Sequence, residues 1–289
     1  MSHQAERPSQ ISWKGWKKVA LGVKEQLTKD HVSIVSAGIA FYFFLAIFPA
    51  VATALSIYGL IMDPVQVGQQ MSQLTDILPE QVHQMIATIL ERQSEKSGAS
   101  LGWSFAVSML ISLWSANKAT KAVFEGVNIA YSGTSHRGFV KRNAVTLLFT
   151  LSGIVIGLVA ITLVAFFPAL IDKVGLDSRL ETFLHLLRWP LLGLIFILAL
   201  ACVYRVAPYR QSPDARWTSW GASIATVIWL AGSVIFSFFV SNYDNFDEAF
   251  GSFSAVVFLM LWFFLTGFIV LLGAEINSVL ERQTGPNHS

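Results

Sequence analysis

Glu275 and Asn277 stand directly behind the last long apolar run of this chain, residues 253–274. An unpaired carboxylate in such a place is costly. Glu275 is therefore expected to face a helix bundle and to accept hydrogen bonds from Arg205, Lys118 or a nearby helix end. Asn117, Lys118 and Lys121 close one earlier apolar run, and Arg205 closes another. These six residues make a candidate polar cluster. It would either gate or bind a lipid headgroup, or tie three helix ends together. A second group, Asp244, Asp247 and Glu248, sets three acids close to Ser241 and Asn242. It reads as a divalent-cation or headgroup site, or as a solvated connector. Fourfold rows of small residues (Ser104, Ser108, Ser112, Ala116 and Thr120; Gly153 and Gly157; Ser233, Ser237 and Ser241) permit close helix packing or line a polar path.

Enzyme chemistry has little to draw on. The chain contains no Gly-rich phosphate loop, His-Glu-x-x-His or Cys-x-x-Cys. Its six histidines are scattered, with no pair at ligand spacing. The single cysteine, Cys202, cannot form an internal disulfide and reads as a small hydrophobe. The expectation is a protein that is not an enzyme, with no metal, no cofactor and no nucleic-acid partner. Without a nucleotide site, any active transport would be ion-coupled or downhill.

The elements that must position these residues follow from apolar length. Six stretches, 37–62, 101–116, 145–171, 184–204, 220–240 and 253–274, are apolar, and most reach the roughly 20 residues a crossing helix needs. A helix satisfies every backbone N–H and C=O inside lipid. Only 13% of the 289 residues are charged, against 54% hydrophobic; soluble domains carry about twice that charge. The fold class expected is all-α: a polytopic membrane protein with six transmembrane helices and short amphipathic interfacial helices. Its parts are a cytoplasmic N-terminal segment (1–31), the transmembrane domain (32–282) and a C-terminal tail (283–289).

Residues 11–29 place Trp13, Trp16, Val19, Val23 and Leu27 at helical spacing, with Lys14, Lys17, Lys18 and Lys24 on other faces. Such a helix would lie on the membrane surface, with lysines toward anionic lipid. Pro49, near the middle of the first span, predicts a kink or a broken helix. In the first loop, Asp63-Pro64-Val65-Gln66 and Pro79 open two short amphipathic helices. Arg188-Trp189-Pro190 reads as interfacial anchors and a first-turn proline beginning span four. No short apolar region with a small-residue cleavage site precedes the first span, so no removable signal peptide is expected.

Lysine and arginine set the orientation. Fifteen fall in the N-terminal segment, loops two and four and the tail, and five in the other loops. Both termini are thus expected in the cytoplasm, with loops one, three and five outside.

Several segments together resemble the YihY/BrkB family of bacterial inner-membrane proteins over residues 30–282. They are Ala37-Gly38-Ile39-Ala40-Phe41-Tyr42-Phe43 through Phe48-Pro49; Leu113-Trp114-Ser115 with Asn128-Ile129-Ala130-Tyr131; Tyr204-Arg205-Val206-Ala207-Pro208; Gly221-Ala222; and Leu271-Leu272-Gly273-Ala274-Glu275-Ile276-Asn277. Phe250-Gly251-Ser252 departs conservatively from the family's Tyr-Gly. The resemblance implies a six-helix inner-membrane protein linked to envelope biology, including serum resistance and lipid or lipopolysaccharide handling. The family has also carried the label ribonuclease BN. The residues argue against that label, because a metal-dependent nuclease needs clustered carboxylates or histidines. The functions expected are a transporter or flippase of an amphipathic or lipid-linked solute, or a non-transporting scaffold. Its partners would be membrane lipids and such a solute. The sequence sets no oligomeric state.

Overall fold

The computed structural model describes residues 13–61, 98–133, 138–161, 163, 178–208, 215–241 and 253–284. Seven long helices carry them: α1 (Trp13–Lys29), α2 (Val32–Ile61), α3 (Gly98–Ala130), α4 (Phe139–Ile161), α5 (Ser178–Val206), α6 (Ala215–Ser241) and α7 (Ser254–Thr284). No strand occurs among the described residues. The all-α membrane class is therefore as the apolar runs require. The first-loop helices expected after Asp63 lie outside the described residues, as do Asp244, Asp247 and Glu248.

Five helices, α2 and α4 to α7, are long and apolar enough to cross a membrane. The sixth expected span is α3. At 33 residues it is the longest helix of the set, about 50 Å at 1.5 Å per residue. Ser104, Ser108, Ser112, Asn117, Lys118 and Lys121 dilute its apolar run, so length alone recommends it. The faces of the spans agree with a lipid surround. Only 11% of the Phe139–Ala160 stretch of α4 is buried by the rest of the protein, and Leu148, Leu151, Val155 and Leu158 are exposed. So large a bare apolar surface is stable in hydrocarbon and not in water.

At Pro49 the broken-helix alternative does not hold, and the expectation for Pro190 is corrected. α2 runs unbroken through Pro49, because proline removes one backbone donor while the rest of the helical ladder continues. Pro190 does not open a helix. It lies well inside α5, which begins at Ser178; no glycine or proline intervenes between the two to stop the helix.

Contacts divide the chain into two compact units. The first comprises Met1–Ala37, Thr120–Ile235 and Leu265–Ser289. Its core joins Val19 and Val23 of α1 to Ile276, Val279 and Leu280 of α7, with Trp16, Leu27, Ile224 and Leu272 packed around them. The apolar stripe of α1 is thus covered by protein where membrane lipid was expected, and Trp16 meets Trp220 at 6.3 Å. Trp13 remains 85% exposed. A stripe of this width fits a helix as readily as a bilayer, and α7 supplies the complementary face. Elsewhere in this unit Phe196 stacks on Trp229 at 4.4 Å, Phe124 meets Phe149 edge-on at 5.0 Å, and the Thr150 hydroxyl lies 2.8 Å from that of Thr120.

The second unit comprises Gly38–Ala119 and Phe236–Phe264. Aromatic rings dominate it. Phe43 stacks on Phe263 at 5.6 Å, and Phe236 meets Trp262 at 5.1 Å. Such pairs are worth about 0.5–1.5 kcal/mol beyond area burial.

Candidate functional site

The end of α7 is the most completely buried part of the first unit. From Ile269 to Leu280 every residue but Leu272 is buried. A helix enclosed on all sides in this way must match its neighbours at close range, and three glycines provide the room. A Cβ on Gly126 would stand 2.7 Å from Leu271 Cδ2 and 2.9 Å from Val35 Cγ1. One on Gly273 would collide with the Tyr204 hydroxyl, and one on Gly221 with the Gly273 carbonyl. α6 therefore meets α7 backbone to backbone, and α5 meets it through the Tyr204 side chain. Small residues at helix contacts are the usual means of close approach in lipid. The expectation that Gly153 and Gly157 serve this purpose is corrected: among the described residues nothing lies within 4 Å of a Cβ at either.

Polar groups lock this crossing. Tyr204, fully buried, donates its hydroxyl to the Val270 carbonyl at 2.6 Å. The Gly221 N–H donates to Asn277 Oδ1 at 2.7 Å. Both bonds are short and shielded from water, where a net contribution of about 1 kcal/mol each is reasonable.

A second polar group forms where α1 and α3 end. α3 closes in a Schellman turn: Ser132 has φ 52°, its N–H donates to the Ile129 carbonyl at 2.8 Å, and the Gly133 N–H donates to the Asn128 carbonyl at 2.9 Å. Arg282 of α7 reaches this end. Its Nη2 donates to Ser132 Oγ at 2.9 Å and to the Ala130 carbonyl at 3.4 Å, a favourable place for a cation beside a helix C-terminus. With the Gln26 amide turned so that its oxygen faces the guanidinium, Nη1 donates to that oxygen at 3.0 Å and the amide nitrogen donates to Asp30 Oδ2 at 3.3 Å. α1, α3 and α7 are thereby joined through one guanidinium.

Glu275 lies within this buried end and is 0% exposed. Neither carboxylate oxygen has a hydrogen-bond partner among the described residues. The charged groups that act on it are Asp30 and Arg282. Arg205 is exposed, so the pairing expected between it and Glu275 is replaced by a neighbourhood that includes Asp30. Asp30 and Arg282 are the two residues that sequence reasoning missed. The available signals were an acid immediately before the first span and a lone arginine in the last turn of α7. Of the remaining cluster candidates, Asn117, Lys118 and Lys121 are partly buried, and the Lys118 ammonium lies 5.2 Å from the Trp114 ring centre, within cation–π range. Asn277 is brought to Gly221 as described. Among the described residues no group of three or more His, Cys, Asp and Glu side chains is placed to hold a metal ion.

Comparison with known proteins adds family context. The model of a family described as virulence factor BrkB matches residues 23–289. A putative ribonuclease-like protein, YfkH, of Bacillus subtilis is 26% identical over 253 residues, covering 86% of this chain and 90% of that one. The UPF0761 membrane protein IL2447 of Idiomarina loihiensis is 21% identical over 287 residues, 94% of this chain and 95% of its own. A UPF0761 membrane protein of Kangiella koreensis is 24% identical over 277 residues; the match takes in 93% of this chain and 65% of the relative's length. No solved structure matches.

Proposed function

From the premise that this chain belongs to the virulence factor BrkB family of membrane proteins, we propose that it carries an amphipathic or lipid-linked solute of the bacterial envelope across the inner membrane. It does so with both termini in the cytoplasm and without catalysing a reaction. The observation that supports transport is Glu275. A fully buried carboxylate without a donor gives a passive scaffold nothing that a neutral side chain would not give better. Intramembrane ionisable residues of this kind belong typically to solute and ion paths. The positive-inside count supports the orientation, because it puts the Glu275 end of α7 on the cytoplasmic side.

A scaffold reading has its own support in the Tyr204–Gly273–Gly221–Asn277 crossing, which holds the helices at close range. The two separate in liposomes. Purified protein should accelerate the passage of a short-chain fluorescent phospholipid between leaflets, and Glu275→Gln should remove that acceleration while leaving the protein folded. Flip rates equal to those of protein-free vesicles would reject this class of solute. Wild-type rates in Glu275→Gln would detach transport from the site.

A further inference from the structure

α1 has two sides, and the protein covers one of them. Val19 and Val23 are buried in the core that joins α1 to α7, and Gln26 and Asp30 belong to that side by helical register. The opposite side carries Lys17, Lys18, Lys24 and Lys29, all exposed. None of these four has an ion-pair or hydrogen-bond partner among the described residues. The acid among them, Glu25, is exposed as well. Trp13 and Leu21 stand on the same side, 85% and 59% exposed.

Contacts fix the depth of this helix. Near its start Trp16 meets Trp220 at 6.3 Å, and Trp220 is where the apolar stretch of α6 begins. At its end only Asp30 and His31 separate it from Val32, where the apolar stretch of α2 begins. His31 makes that turn with φ 50°. Its N–H donates to the Thr28 carbonyl at 3.3 Å, and its carbonyl accepts from the N–H groups of Ile34 and Val35. The two ends of α1, about 22 Å apart at 1.5 Å per residue, therefore both lie where a span enters the bilayer. The helix runs along that surface.

We infer that the outer side of α1 is a binding surface for anionic phospholipid. Lys17, Lys18, Lys24 and Lys29 take the headgroup phosphates, and Trp13 and Leu21 enter the boundary between headgroups and acyl chains. Charge selects the occupant. Four lysines against one glutamate leave this side at a net +3. A zwitterionic surface has no net charge to match it, whereas anionic lipid does. Depth and apolarity agree with charge. Water would leave two large apolar side chains bare, but at headgroup level a tryptophan and a leucine find acyl carbon while lysine stems reach back to the phosphates. The arrangement inverts that of an ordinary surface helix, which gives its apolar stripe to the bilayer. Here the stripe goes to α7 and the basic side holds the lipid, so α1 joins the buried end of α7 to the charge of the membrane. The surface does not depend on the transport reading.

Spin-labelled lipids test this. In phosphatidylcholine bilayers containing the full-length protein, electron paramagnetic resonance reads how much spin-labelled phosphatidylglycerol or phosphatidylcholine is held at the protein surface. Wild type should prefer phosphatidylglycerol by about threefold or more, and added sodium chloride should weaken the preference. The variant K17Q/K18Q/K24Q/K29Q should lose most of it, and E25K should raise it. All five side chains are exposed, so the core of α1 and α7 should survive; should the fourfold variant not fold, E25K carries the comparison. A wild-type protein without the preference overturns the inference. So does a preference that persists in full in the fourfold variant, which would move it to other cations such as Arg205, or an E25K protein that holds no more phosphatidylglycerol than wild type. A fourfold variant that changes oligomeric state while its lipid preference stays intact would assign this side to a second copy of the chain, and overturns it too.

Discussion

Gly273→Ala probes the crossing of α5, α6 and α7 most directly. The new Cβ would overlap the Tyr204 hydroxyl and stand 2.8 Å from Ala225 Cβ and 3.0 Å from the Gly221 carbonyl. Two of those three groups are rigid, so Tyr204 must yield, and it loses its 2.6 Å bond to Val270. Overpacking costs about 1–3 kcal/mol, and a buried hydroxyl left unpaired costs about another 1–3 kcal/mol. The better helix propensity of alanine returns about 1 kcal/mol. The net expectation is a loss of about 1–5 kcal/mol. Tyr204→Phe alone should cost only about 1 kcal/mol, since it deletes one hydrogen bond and no volume of consequence. In the double variant the methyl group meets no hydroxyl, so the two losses should sum to more than the observed one by about 1 kcal/mol or more. Unfolding of all four proteins in mixed SDS–detergent micelles measures this. A Gly273→Ala protein as stable as wild type, or strict additivity with Tyr204→Phe, would refute the reasoning.

Arg282→Gln should cost about 1–3 kcal/mol, because it removes charge-assisted bonds at two helix ends; hydrogen exchange should rise at Ser132 and Gly133, and unchanged exchange would mean that the α3 cap stands by itself. Glu125→Gln should cost no more than about 1 kcal/mol in the same unfolding assay, since the 3.0 Å pair with Arg142 is about two-fifths exposed on each side. Gly153→Ala and Gly157→Ala should be neutral or stabilising by up to about 1 kcal/mol, because neither Cβ meets any of the described residues; a marked loss would place a partner against that face. Reporter fusions at Ser135 and Gln211 should give cytoplasmic signals, and those at Ser94 and Tyr243 periplasmic ones; a periplasmic signal from Ser135 would invert the orientation.

The helices were legible because bilayer thickness imposes length and apolarity on any span, and α2, α4, α5, α6 and α7 carry both in full. What apolarity hides is facing. In water, a lipid-exposed leucine and a core leucine separate by periodicity. In α4 and α7 both faces are apolar, so nothing in the composition tells Leu148, which is exposed, from Leu271, which is buried. The same blindness chose Gly153 and Gly157 over Gly221 and Gly273, although all four are glycines in apolar runs. Glu275 could be read as inward-facing from the cost of its charge alone. Its neighbours could not, because Asp30 lies 245 positions away and only the docking of α1 on α7 brings it near.

The asymmetry between α4 and α7 bears on where function can reside. Between helices in lipid there is no hydrophobic drive, so association rests on close packing and on polar contacts. The first unit concentrates both at one place, the last three turns of α7. There Tyr204, Gly221 and Asn277 interlock, and Arg282 ties α1 and α3 to the same helix. Each of those contacts is satisfied and could be kept by a protein that never moves. Glu275 sits in the middle of them with both oxygens unpaired, and no requirement of packing places it there. Glutamine would keep the length of the side chain and remove a buried charge. Glu275→Gln should therefore raise resistance to unfolding, whereas a carboxyl kept for stability alone would make it fall. A more stable protein that has lost transport would show that the carboxyl is retained for function.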